Sequence, residues 1–153
     1  VGRLDLNTAG LLLFTNDGAL ANRIMHPSAE IEREYWVRVA GEVSEETLQA
    51  LRNGIELEDG FARFDDIQPL QALHEDDHQY NRYFSVVLKE GRNREVRRLW
   101  EAVGCQVSRL KRIRIGNLWL PKELSAGRWR PLSVGETNAL LDLLQRKKRN
   151  SQL

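Results

Sequence analysis

Gly2-Arg3-Leu4-Asp5-Leu6-Asn7-Thr8-Ala9-Gly10-Leu11-Leu12-Leu13-Phe14-Thr15-Asn16-Asp17-Gly18 sets one carboxylate at the start of an apolar run. Asp5 lies two residues after Arg3 and just before the small-residue turn Thr8-Ala9-Gly10. The run 11–14 reads as a core strand, and Asn16-Asp17-Gly18 as a turn whose aspartate can cap a helix. A carboxylate on the rim of a buried strand can serve as a nucleophile or a general base. The competing reading is an Asp that only bonds the amides of its own turn.

Working outward, Asp17 caps a short helix that ends at Met25, before His26-Pro27. Residues 34–39 alternate as a strand, with Tyr35, Val37 and Val39 on one side and Trp36 and Arg38 on the other. Ser44 caps a helix to Arg52, closed by Asn53-Gly54. Residues 55–73 read as strand-rich, interrupted at Pro69, and 74–79 as a polar loop. Phe84, Val86 and Leu88 alternate again and lead into the turn Gly91-Arg92-Asn93.

A helix from Arg94 follows, burying Val96, Leu99, Trp100 and Val103 and leaving Arg94, Arg97, Arg98 and Glu101 off that stripe. Arg94 and Arg98 repel at i,i+4 unless a phosphate or a carboxylate offsets them. Residues 106–115 form a strand, 119–132 finish the sheet, and 134–146 make a last helix with a frayed basic end. Strands joined by turns with a few helices between give an α+β domain on a mostly antiparallel sheet.

The 153 residues, 41% hydrophobic, suffice for one domain with a core. No apolar run approaches the ~18 residues of a membrane span. The single Cys105 rules out an internal disulfide and reads as a small packed residue at a helix end. Net charge is only +1, but it is unevenly placed. Residues 92–114 carry eight Lys/Arg against two Glu, and residues 44–77 two Arg against ten Asp/Glu. One basic and one acidic end would steer a polyanion onto a single surface.

The opening motif resembles that of the ribosomal pseudouridine synthases of the RsuA/RluB type, G-R-L-D-x-x-T-x-G-L-L-L-x-T-N-D-G. The similarity returns at Glu32-Arg33-Glu34-Tyr35, at Glu90-Gly91-Arg92-Asn93-Arg94-Glu95-Val96-Arg97-Arg98-Leu99-Trp100, and in Ser108-Arg109-Leu110-Lys111-Arg112-Ile113-Arg114-Ile115-Gly116. Within the family the motif text lies nearest the large-subunit branch, acting on 23S rRNA. The resemblance implies the pseudouridine synthase fold, a mostly antiparallel mixed sheet with flanking helices and a central catalytic cleft. It implies isomerisation of a flipped-out uridine in ribosomal RNA, in the cytoplasm, by a monomer needing no cofactor or metal.

Carried over by position, Asp5 is the central catalytic residue. Tyr35 stacks on the uracil and assists proton removal, and Arg97 pairs with the aspartate. Arg3 enters the space left by the flipped nucleotide, while Arg92, Asn93, Arg94, Lys111, Arg112 and Arg114 bind RNA. Residues 1–147 would be the catalytic domain and 148–153 a polar tail. Because family members usually carry an S4-type domain and an opening strand upstream, and Val1 opens inside a motif, a catalytic-domain fragment is expected.

Two rivals stand beside this reading. His74-Glu75-Asp76-Asp77-His78 matches H-E-x-x-H, but a wholly polar stretch with three acids reads as a solvated loop rather than a zinc helix. The basic surface alone would also suit a non-catalytic rRNA-binding or ribosome-assembly module; Asp5, Tyr35 and Arg97 together would separate an enzyme from it.

Overall fold

The computed structural model describes residues 1–71 and 81–152. The H-E-x-x-H stretch and the polar loop of 74–79 lie outside the described residues. Among those residues the strands are β1 (Ala9–Gly10), β2 (Arg33–Ala40), β3 (Ile55–Leu57), β4 (Gly60–Ala62), β5 (Asp66–Leu70), β6 (Asn81–Leu88), β7 (Gln106–Ile115) and β8 (Leu118–Trp119). The α-helices are α1 (Gly18–Met25), α2 (Glu45–Asn53), α3 (Glu95–Ala102) and α4 (Val134–Ser151).

The main sheet runs β1-β7-β2-β6-β5, with β8 on β7. Every pairing in it is antiparallel except β1 on β7, which is parallel through Ala9↔Lys111 and Gly10↔Arg112. β3 and β4 form a separate hairpin. The α+β expectation with a mostly antiparallel sheet therefore holds. The helix starts follow their capping chemistry: Asp17 accepts from the Leu20 amide at 3.1 Å, and Ser44 and Ser133 each close a capping box.

The larger core lies between one face of β2, β6 and β7 and the helices α2 and α3. Fully buried Trp100 sits there with ring centroids 5.1 Å from Phe84 and 5.9 Å from Phe64. Each such pair adds about 0.5–1.5 kcal/mol beyond its buried area. A second core joins Leu11, Leu13, Ile24, Ile31 and Ile115 to Leu140 and Leu144 of α4.

Four sequence expectations need correction. The run after Gly10 alternates like a strand, with Leu11 and Leu13 buried and Phe14 exposed, yet regular pairing stops at Gly10. Pro69 does not interrupt its strand but sits inside β5, at the edge of the sheet, where its missing N–H is tolerated. Beyond β8, residues 120–132 add no strand to the sheet. Helix α4 continues through Arg146-Lys147-Lys148-Arg149 to Ser151, since buried Leu140 and Leu144 anchor its middle and the basic side chains favour its C-terminal end.

Candidate active site

Asp5 opens a tight turn, closed by the Thr8 amide donating to the Asp5 carbonyl at 2.9 Å. Beyond it the chain locks onto β7. The Leu11 amide donates to the Arg112 carbonyl at 2.8 Å, and Arg112 Nε returns a hydrogen bond to the Leu11 carbonyl at 2.9 Å. Only glycine fits between. Gly10 has φ +113°, and a Cβ there would lie 2.2 Å from the Arg112 carbonyl oxygen.

This arrangement brings Asp5 to a cavity of about 180 Å³ shared with Tyr35, Arg112, Arg3, Asn93 and Arg94. Tyr35 and Arg112 are direct register partners on neighbouring strands, so both reach the cavity from the same face of the sheet. Both are buried, at 9% and 7% exposure. Arg3, Asn93 and Arg94 are exposed at the mouth. Arg94 is also, among the described residues, one of two non-glycine residues with positive φ, at +52°, at the N-cap position of α3. Such strain costs about 1–3 kcal/mol and gathers at ligand-binding positions.

Arg97 approaches the same turn from below. It is 7% exposed, although helical spacing placed it off the buried stripe, because the Asp5 turn covers that side of α3. Its Nη2 donates to the Asn7 carbonyl at 2.7 Å. Among the described residues no carboxylate lies within ion-pair distance of its guanidinium. Burial lowers its pKa, the nearby Arg94 charge lowers it further, and Asp5 pulls it back up through space. The expected Asp5–Arg97 contact is thus made to the backbone of the Asp5 turn rather than to the carboxylate.

Three of the expected RNA-binding cations divide in the same informative way. Arg92 lines the cavity, but its guanidinium donates to Glu90, Glu95 and Asp59 side chains and to the Asp59, Gly60 and Phe61 carbonyls. Arg114 is held by Glu34 at 3.0 Å, Glu32 at 3.0 Å and the Gly116 carbonyl, over the Trp119 ring. Neither guanidinium is an open phosphate contact. Lys111, by contrast, is exposed on β7. The acidic and basic stretches therefore meet: Asp59 of the β3–β4 turn takes Arg98 on both oxygens, at 2.7 and 3.0 Å, which also relieves the Arg94–Arg98 repulsion.

Glu95 is the residue the sequence reading missed. Its side chain is 1% exposed, accepts the Arg92 amide at 3.1 Å, and adjoins Glu90. Burial and the Glu90 charge push its carboxyl up to about 8, so it keeps a proton that it donates to Glu90. That hydrogen bond holds Glu90 below the usual carboxylate range. A signal was available, since Glu95 lies four residues before Leu99 on the same helix face.

Asp5 on its clamped turn, Tyr35 and Arg112 thus line one cavity at the edge of the sheet. The family model described as RNA pseudouridylate synthase matches residues 1–102, and the chain belongs to that family. Its relatives include the ribosomal large subunit pseudouridine synthases B of Vibrio vulnificus (strain CMCP6), 54% identical over 95% of this chain and 44% of that one, and of Escherichia coli (strain K12), 55% identical over 95% and 48%. The counterpart of Buchnera aphidicola subsp. Acyrthosiphon pisum (strain APS) is 52% identical over 96% of this chain and 58% of its own. The chain spans about half the length of these curated relatives. A crystal structure titled pseudouridylate synthase superposes with a TM-score of 0.76 at 34% identity, over 91% of this chain and 57% of that one.

Proposed function

We propose that this chain carries the catalytic centre of an enzyme that isomerises a uridine of large-subunit (23S) ribosomal RNA to pseudouridine. The reaction breaks the N1–C1′ bond, turns the uracil and joins C5 to C1′. It is neither a redox step nor a hydrolysis, so a carboxylate, a wall for the turning base and a route for the C5 proton suffice. Asp5 is the group at the sugar, and Tyr35 is the wall. A ring against a base supplies roughly 1–3 kcal/mol. Arg97 orients Asp5 through the Asn7 carbonyl.

The target nucleotide must leave its stack to reach the cavity. Arg3 fills the space it vacates, while Asn93, Arg94 and Lys111 hold phosphates around the mouth. Such contacts position the RNA without reading sequence. Residues 1–147 act as the catalytic unit, as a monomer in the cytoplasm. The observation that carries this reading is Asp5 and Tyr35 opening on one cavity, an arrangement that a module which only binds RNA has no use for. Tritium release from 23S rRNA labelled at C5 of uridine tests it. The parent protein should release tritium and Asp5→Asn should not, with RNA binding retained. Release by Asp5→Asn at the parent rate, or none by either despite binding, would overturn it.

A further inference from the structure

We infer that Arg112 is a further catalytic residue, placed to hold a carbonyl oxygen of the uracil and to stabilise the negative charge the base acquires when its bond to the sugar breaks. This rests on the synthase reading above. It replaces a phosphate contact with a contact to the reacting base.

Three observations support it. Arg112 is 7% exposed, yet it contributes to the cavity wall. Nε is fixed on the Leu11 carbonyl at 2.9 Å, which sets the plane of the guanidinium. The terminal nitrogens have no acceptor among the described residues, and Nη2 is closed off from solvent without a partner. The terminal nitrogens of Arg92 and Arg114, in contrast, all donate to the protein's own oxygens. A buried cation left open in this way wants an anionic or carbonyl acceptor.

The cavity, about 180 Å³, has room for one pyrimidine ring but not for a whole nucleotide, so a flipped base enters it while its backbone stays outside. The ring occupies the interior, against Tyr35, and its register partner Arg112 meets it there. Sugar and phosphates stay at the mouth with the exposed cations.

The chemistry gives the contact its purpose. When N1–C1′ breaks, the electron pair stays on uracil, and the charge spreads over N1, O2 and O4. A half-turn of the ring about its N3–C6 axis exchanges N1 with C5 and O2 with O4. One fixed donor is therefore satisfied both before and after the turn. The pair at C5 then closes C5–C1′, the C5 proton leaves, and N1 takes up a proton, so the step balances as an isomerisation. A donor already aimed at developing charge reduces the barrier without reorganising.

The experiment uses a 23S rRNA stem-loop around the uridine that the parent protein modifies. Single-turnover rate at saturating RNA, and Kd across a salt series, are measured for the parent, Arg112→Met and Arg112→Lys. Arg112→Met should lose about 100-fold or more in rate, the cost typical of removing one such donor. Its Kd should stay within about threefold and its salt slope unchanged. Arg112→Lys, which keeps a cation at the same depth, should recover at least tenfold of the rate and covers the case in which the Met variant does not fold. An unchanged saturated rate in Arg112→Met, or no recovery in Arg112→Lys, overturns the inference. So does weaker binding with a salt slope reduced by about 0.7, the mark of one lost phosphate contact. An inactive parent overturns the synthase reading itself, whereas an active parent beside an unaffected Arg112→Met overturns only the role of Arg112.

Discussion

Adding a single methyl group at Gly10 is a severe test of how the Asp5 turn is held. At φ +113° an alanine meets backbone strain of about 1–3 kcal/mol. Its Cβ would also lie 2.2, 2.6 and 2.9 Å from the Arg112 carbonyl oxygen, amide nitrogen and carbonyl carbon. These are main-chain atoms of β7, paired on its other side with β2, and they cannot swing away as a side-chain tip would. Overpacking of that kind costs a further 1–3 kcal/mol or so. The sum is about 2–6 kcal/mol, which for a chain of this size lowers Tm by roughly 2–4 °C per kcal/mol. Gly104→Ala is the control, since Gly104 has φ +82° but nothing within 4 Å of the added atom. Thermal melts followed by circular dichroism should rank parent above Gly104→Ala above Gly10→Ala. If Gly10→Ala were no less stable than Gly104→Ala, the tight seating of β1 on β7 would be refuted. Tritium release should fall about 100-fold as well, because a displacement near 1 Å at the Asp5 turn is worth that much.

Arg97→Met removes the bond to the Asn7 carbonyl while keeping an apolar stem; stability should drop by about 1.5–3 kcal/mol and the saturated rate about 100-fold. Arg98→Met, on the exposed side of the same helix, should change stability by no more than about 1 kcal/mol and keep the rate; equal rate losses in both would refute the anchoring role of Arg97. Glu95, raised to about 8, holds a proton in the folded state that the unfolded chain releases near its usual 4.5. Its share of stability is therefore complete below about pH 4.5 and lost as pH rises through 8, while Glu90, shifted downward, acts below this window. Tm should fall between about pH 4.5 and 8 in the parent and flatten in Glu95→Gln; parallel curves would count against the shared proton.

Much of this fold was legible because local patterns agreed with it. Caps at Asp17 and Ser44, alternation along β2 and β6, and the strand read at 106–115 name elements that the structure keeps nearly to the residue. Asp5, Tyr35 and Arg112 were legible as candidates through motif order, and the cavity brings them together. What the sequence hid are properties of the second neighbour. Helical spacing describes only how α3 meets its own core, so it could not show that the Asp5 turn buries Arg97 or that Glu90 and Arg92 enclose Glu95. Nor does a run of arginines say which guanidiniums the protein keeps for itself. Arg92 and Arg114 find acceptors on β4 and β2 that are distant in the chain.

The parallel seating of β1 on β7 has a consequence for the order of events during synthesis. Leu11 and Arg112, which exchange hydrogen bonds there, are 101 residues apart in the chain. At translation rates of about 5–20 residues per second, the segment bearing Asp5 precedes its supporting strand by roughly 5–20 s. During that interval the aspartate has no cavity, no facing tyrosine fixed in register and no arginine beneath its turn. The proposed catalytic carboxylate thus acquires its surroundings only once β7 has been made.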